Sequence, residues 1–261
     1  MVRFDYLPGT FSLVVAHRGA SLDQPENSLP AFESAVSAGA DVVELDVRLS
    51  SDGVAVVMHD PEVSRVTDGQ GFVHELTLEE LKRLDASGGR GQRAEVATLR
   101  EVLDAVSGRA GVNLEIKNIP GEPAFDSPTE AVLVAALRDL ETVSFPGHVL
   151  ISSFNMITVE RSRSLAPEIP TGFLTLGAME AAAGLAYARG AGHAWVLPQV
   201  GALLRAGEDF VREAHDSGIR VGTWTVDELE TLATLFAWGV DAVASDDPAR
   251  AVAIREGVPR G

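Results

Sequence analysis

The sequence predicts a (β/α)8 TIM barrel, with a β-hairpin that extends the second strand and a small insertion at about residues 61–98. Two observations point there. Short apolar runs recur along the chain, each followed by a helix-like segment, and there are eight such pairs in 261 residues. The runs are continuous rather than alternating, as in parallel strands covered by helices on the outside. Eight units in a chain of this length match a closed barrel; a doubly wound open sheet is the structural alternative.

The elements follow in order. LVVA (13–16) is the first strand, with a helix over about 28–38. VVELDV (42–47) is the second, and its helix is delayed to about 99–107. VNLEIK (112–117) precedes a helix near 128–140, HVLISS (148–153) one over 155–165, and TGFLT (171–175) one over 178–188. AWVLP (194–198) leads to 203–216, IRVGTW (219–224) to 227–237, and DAVAS (241–245) to 248–255. The delay after the second strand holds the two irregular features. One is a hairpin; the other is the connection 61–98, with DGQG, SGGRG and the helix-like TLEELKRL at 77–84. No linker or low-complexity tract stands out, so residues 1–261 read as a single domain.

Composition narrows the function. Hydrophobic residues make up 46% of the chain, enough for a sizeable core, yet no apolar run is long enough to span a bilayer. The opening MVRFDYLPGTFSLVVAHRGA lacks the order of regions of a signal peptide. Cysteine is absent, which removes disulfides and thiolate chemistry. A cytoplasmic enzyme is therefore expected. A formal net charge of −17 repels nucleic acid and anionic membranes. Neither nucleic acid nor stable membrane anchoring is expected, and the oligomeric state is open. An anionic substrate would need a local positive site, which a metal ion can supply.

The hairpin ELDVRLSSDGVAVVMHD (44–60) carries the first candidate residues. Asp-Gly between two β-rich runs signals a two-residue turn. With Asp52 and Gly53 at the tip, pairing outward sets Asp46 opposite His59. Glu44 and Asp46 are two apart and share a face. The hairpin is thus expected to return His59 beside both acids. Other strand ends agree: AHRG puts His17 and Arg18 at the end of the first strand, and LEIK puts Glu115 and Lys117 on one face of the third. All of these would meet at the barrel mouth, where active sites of this fold lie. Three carboxylates without cysteine suit a hard divalent cation, Ca²⁺ or Mg²⁺. Two histidines suit proton transfer near neutral pH, and Arg18 and Lys117 suit a phosphate. Together these are the needs of phosphodiester cleavage.

The chain also resembles the glycerophosphodiester phosphodiesterases. The residues that carry the resemblance are AHRGASLDQPENSLPAFESAVSAGADVVELDVRLSSDGVAVVMHD (16–60), followed in order by SRVTDG (64–69), ATLREVL (97–103), LEIK (114–117), ISSF (151–154), GTWTV (222–226) and GVDAVASDDP (239–248). The resemblance implies a TIM barrel with a small insertion. It implies Glu44, Asp46 and Glu115 as metal ligands, His17 and His59 as the acid–base pair, and Arg18 and Lys117 as phosphate contacts. Glu26 and Asn27 stand in the PEN segment; Asn27 would support the site or cap the helix after it. Trp224 in the WT motif and Phe154 in SSF would line the substrate pocket or simply pack. The departures are small: PENS for PENT, no lysine before the Asp-Gly turn, and VASDDP where a Thr-Asp ending is usual. The implied reaction cleaves a glycerophosphodiester such as glycerophosphocholine or glycerophosphoethanolamine to glycerol 3-phosphate and an alcohol. A lysophospholipid substrate would need an apolar track near the mouth, and GFVHEL (71–76) is short for one. A non-catalytic phosphate-ligand binder is the other alternative.

Overall fold

The computed structural model describes residues 11–90 and 92–257. The first ten residues, part of the opening segment read above for a signal sequence, lie outside the described residues. The chain runs β1 (Leu13–Ala16), α1 (Leu29–Ser37), β2 (Val42–Leu49), β3 (Ala55–Val57), α2 (Leu78–Arg83), α3 (Leu99–Val106), β4 (Gly111–Ile116), α4 (Ala131–Val143), β5 (Val149–Ser153), α5 (Met156–Leu165) and β6 (Thr171–Thr175). It continues with α6 (Ala181–Ala191), β7 (Trp195–Pro198), α7 (Val200–Ala206), α8 (Glu208–Asp216), β8 (Arg220–Thr223), α9 (Leu229–Ala237), β9 (Ala242–Ser245) and α10 (Pro248–Gly257). The strands β1, β2 and β4 to β9 are parallel neighbours, and β1 pairs with both β2 and β9, which closes the barrel. The open-sheet alternative is thereby excluded, because an open sheet would leave β1 with one partner at an edge or place it centrally without closure.

Local chemistry sets the element ends. Ser28 caps α1, its hydroxyl accepting from the Ala31 N–H, and Pro30 sits in the first turn. Thr77 with Glu80, and Thr98 with Glu101, form reciprocal capping boxes that start α2 and α3. The segment expected as one helix over 203–216 is two, because Gly207 takes φ +78° between α7 and α8. An aspartate guards the bottom of two strands. Asp41 accepts the Val14 N–H at 2.8 Å, and Asp241 accepts the Val221 N–H at 2.8 Å. Each gives a partner to a buried donor that would otherwise lack one. The surrounding sequences, GADVVELD (39–46) and GVDAVASD (239–246), share this pattern, and each ends in a second aspartate at the top of its strand.

The hairpin differs from expectation by one residue. Observed pairs are Val47 with Val57, Arg48 with Val56 and Leu49 with Ala55. The loop has three residues, Ser51 to Gly53, flanked by Ser50 and Val54, and the Gly53 N–H donates to the Ser50 carbonyl at 3.0 Å. This is a turn closed by a left-handed glycine (φ +78°) rather than a two-residue loop. Asp46 therefore faces Met58, whose N–H donates to the Asp46 carbonyl at 2.9 Å, and not His59. Ser50 explains the shift: its hydroxyl accepts the Val54 N–H and donates to Asp52, which favours the longer loop. Since no atom lies within 4 Å of a Cβ at Gly53, Gly53→Val should cost backbone strain alone, about 1–2 kcal/mol. A drop in kcat is expected with it, read against Gly53→Asn, which tolerates this conformation and should be mild; equal effects of the two in thermal melts and kinetics would contradict this reading.

The segment 61–98 packs on the hairpin. Val63, Val73, Leu81, Ala86 and Val96 form a satellite core with Val56 and Met58. Within it lie single 3-10 turns at Val63–Arg65 and Val73–Glu75 and the helix α2. Among the described residues no helix is long and apolar enough to cross a membrane.

Candidate active site

The acids come from adjacent strands. Asp46 of β2 is in register with Glu115 of β4, and Glu44 with Asn113. Alternation turns Glu44, Asp46 and Glu115 toward the barrel axis, where one oxygen of each lies within 4.8 Å of the others. They are 4%, 1% and 8% exposed. Burial, with Asp46 nearby, pushes the Glu44 carboxyl up to about 8. Burial alone would raise Asp46 as well, but Lys117 and Arg18 more than reverse this and hold it below the usual carboxylate range.

Both cations sit on these acids. Lys117 Nζ lies 2.9 Å from Asp46 Oδ1 and donates to Glu115 Oε1. The Arg18 side chain reaches Asp46 at 3.3 Å and Glu26 at 3.0 Å, while its backbone N–H donates to Glu44 Oε2 at 2.9 Å. Burial disfavours the Lys117 ammonium, but Asp46 and Glu115 raise its pKa overall. Asn27 is not the cap of α1. Its amide nitrogen donates to Asp46 Oδ2 at 2.7 Å and its carbonyl oxygen accepts the Asp46 N–H at 3.3 Å. The cap falls one residue later because the Asn27 backbone is left-handed (φ +58°), as is Arg18 (φ +57°). The Asn27 N–H donates to the Arg18 carbonyl, so two uncommon conformations brace each other beside the acids.

Each histidine is oriented by a carboxylate. His17 Nδ1 lies 2.7 Å from Asp246 Oδ1, an oxygen that also accepts from the Ser21 hydroxyl. Burial would lower the His17 pKa; the Asp246 hydrogen bond and the Glu44 charge outweigh it, and the pKa is raised. His59 Nδ1 lies 2.6 Å from Asp60 Oδ1. There burial wins, and the His59 pKa is lowered despite Asp46. His59 follows Met58, whose N–H donates to the Asp46 carbonyl, and its own carbonyl accepts from Arg48 of β2, so its backbone lies against the strand that carries Glu44 and Asp46. In both rings Nδ1 is engaged, which leaves Nε2 for a reacting group.

Below the acids the axis is apolar. Leu13, Val15, Leu150, Leu197 and Trp224 line a pit together with His17, Glu44 and Glu115. Trp224 donates its indole N–H to the Leu197 carbonyl at 3.0 Å and stacks edge-to-face on Phe154, with centroids 5.3 Å apart. Phe154 in turn lies under Lys117, 6.0 Å from Nζ. Both aromatics thus pack on one another and on the site at the same time.

Three residues escaped the sequence reading: Asp246, Asp60 and Arg65. Arg65 donates to Asp60 and, at 2.7 and 2.9 Å, to both oxygens of Glu26, so it ties the support of His59 to that of Arg18. Asp246 had a signal, since it follows Asp241 at the spacing by which Asp46 follows Asp41. Asp60 was visible as the neighbour of His59. Arg65 stands in the SRVTDG segment (64–69) that carries the family resemblance, but nothing there shows its partners, which are 5 and 39 residues away on separate loops.

The three carboxylates could hold a divalent cation. Their oxygen donors suit a hard ion. Glu44 Oε1 is buried with no hydrogen-bond partner among the described residues, and a cation would offset the repulsion that pushes the Glu44 carboxyl up.

Residues 17–250 match the sequence profile of the glycerophosphoryl diester phosphodiesterase family. A glycerophosphodiester phosphodiesterase of Caldanaerobacter subterraneus is 35% identical over 250 residues, covering 91% of this chain and 95% of the relative. One of Bacillus subtilis is 32% identical over 259 residues, covering 90% and 84%. Among solved structures, a phosphodiesterase of Oleispira antarctica in complex with the product sn-glycerol-3-phosphate superposes with a TM-score of 0.85 at 30% identity, over 98% of this chain and 100% of that one.

Proposed function

This chain belongs to the glycerophosphoryl diester phosphodiesterase family and is a phosphodiesterase, and on that premise we propose that it hydrolyses glycerophosphodiesters such as glycerophosphocholine and glycerophosphoethanolamine to sn-glycerol 3-phosphate and the free alcohol, using a divalent cation and the pair His17 and His59. What supports this reading is the cluster of three buried carboxylates, together with His17 on the strand end beside it and His59 at the end of the hairpin of β2, each histidine oriented by a carboxylate. One domain carries the activity, with 61–98 as an insertion in it.

Glu44, Asp46 and Glu115 would hold the ion, Ca²⁺ or Mg²⁺. When bound, it supplies positive charge that offsets the build-up of negative charge on the phosphoryl oxygens. Arg18 and Lys117 add fixed positive charge beside it and orient the phosphate. Hydrolysis adds water across the bond between phosphorus and the alcohol oxygen. One imidazole takes the proton of the attacking oxygen and the other gives a proton to the departing alcohol. Burial lowers the pKa of His59, which suits it to be the acceptor; Asp246 and Glu44 raise that of His17, which suits it to be the donor. Phe154 and Trp224 form the apolar wall against which the substrate carbons rest, and Glu26 and Asn27 hold Arg18 and Asp46 in place.

The test is a panel of glycerophosphodiesters and lysophospholipids assayed for released sn-glycerol 3-phosphate. Glycerophosphodiesters should be turned over with that product. Turnover of lysophospholipids alone would move the substrate class, and tight binding without any turnover would make the chain a phosphate-ligand binder.

A further inference from the structure

We propose that Arg48 is a positioning residue for the reaction: it grips the peptide of His59 and so sets the aim of that imidazole, while Glu122 holds the guanidinium in place. The inference rests on the role given to His59 above.

Glu44, Asp46 and Arg48 alternate on one face of β2, so the strand that presents two of the acids continues past the rim and turns Arg48 the same way. The guanidinium is buried, with Arg48 only 4% exposed. Its Nε and Nη2 donate to one acceptor, the His59 carbonyl, at 2.9 and 2.6 Å. Its Nη1 donates to Glu122 Oε2 at 2.7 Å and its Nη2 to Oε1 at 3.3 Å. With all three guanidinium nitrogens donating to His59 or Glu122 and little exposure, Arg48 serves as a brace and not as a substrate contact.

The reason His59 needs a brace lies in the hairpin. The β2–β3 ladder ends at Val47 and Val57, and Met58 makes the last backbone bond to Asp46. The His59 carbonyl lies beyond that ladder, and Arg48 supplies two donors in its place. Two N–H groups converging on one oxygen fix the peptide in position and direction. The ring end is fixed separately by Asp60. Glu122 lies on the loop after β4, the strand that carries Glu115, so the brace also joins the histidine segment to the loop beyond an acid of the site. A buried guanidinium held by a half-buried carboxylate is a poor source of stability compared with apolar packing, which argues for a role in placement.

The test is a double-mutant cycle of Arg48→Gln with His59→Ala, measured with metal saturating. Arg48→Gln should lower kcat roughly tenfold or more, because small displacements of a catalytic group are costly. KM and the metal concentration for half-maximal activity should stay within about twofold of wild type, and in the His59→Ala background the same change should have almost no effect on kcat. Arg48→Lys, with a single donor group, should recover part of the loss. Glu122→Gln, on a half-buried loop side chain, should fold regardless and lower kcat less, again only while His59 is present. Equal losses with and without His59, or unchanged kcat in both Arg48→Gln and Glu122→Gln, would overturn the assignment. If His59→Ala itself kept wild-type kcat, the role of His59 would fall instead, and the two failures are thereby told apart.

Discussion

Chelation of divalent ions is expected to abolish turnover, and added Ca²⁺ or Mg²⁺ to restore it. Ligand oxygens of Glu44, Asp46 and Glu115 stand within 4.8 Å of one another, with Arg18 and Lys117 as neighbouring cations. Without an ion, the strain falls on Glu44, whose carboxyl is pushed up to about 8 by burial and by Asp46. The sign of the pH dependence follows. Near neutral pH the metal-free Glu44 retains a proton, and a cation must displace it, so binding releases a proton and metal affinity should rise with pH up to about 8. Glu44→Gln removes the ability to ionise for a cation and keeps the shape. It should lose metal affinity and activity together, while the melting temperature of the metal-free protein holds or rises, because a buried carboxyl next to Asp46 has been removed. Calorimetric metal titration, activity and thermal melts of the same samples check all three. Full activity with metal content verified as nil would end the metal assignment.

Replacing either histidine should lower kcat by roughly 10²- to 10⁴-fold, the range for loss of a general acid or base. His17→Ala and His59→Ala should both still bind the metal, since neither ring belongs to the acid cluster. Wild-type kcat/KM should be bell-shaped in pH. The acid limb reports deprotonation of the acceptor, His59, and the alkaline limb reports loss of the proton from the donor, His17. Asp246 raises the His17 pKa through its hydrogen bond. Asp246→Asn should therefore move the alkaline limb to lower pH and leave the acid limb in place. Movement of the acid limb instead would exchange the two roles, and near-wild-type kcat in either alanine variant would make that histidine structural.

The barrel is legible because its strands are short, mostly apolar runs and several helices, α1, α2, α3 and α5 among them, carry side-chain caps in the adjoining residues, so the signal is local. LVVA and TGFLT occupy the residues the sequence assigns to them. The segment 203–216 reads as one helix in the sequence because Gly207 is a single residue in a long amphipathic stretch, and nothing around it marks its positive φ. In the hairpin, Asp-Gly signals a turn but not its length. The hydroxyl of Ser50 decides that, through bonds to Val54 and Asp52 that a propensity argument does not weigh.

What the sequence by itself determined, then, is the succession of strands and the alternation along them, which turns Glu44 and Asp46, and likewise Glu115 and Lys117, to one side. Membership of one family follows from the same ordered motifs. What only the tertiary structure decided is which side chain holds which. Asp246 reaches His17 across 229 positions, Arg48 reaches Glu122 across 74, and Asn27 turns to Asp46 instead of capping α1. Strand and helix signals act over a few residues and survive in the linear chain. These contacts exist because barrel closure brings β9 beside β1 and because two loops meet above the rim, and no local pattern encodes a distance that closure alone creates.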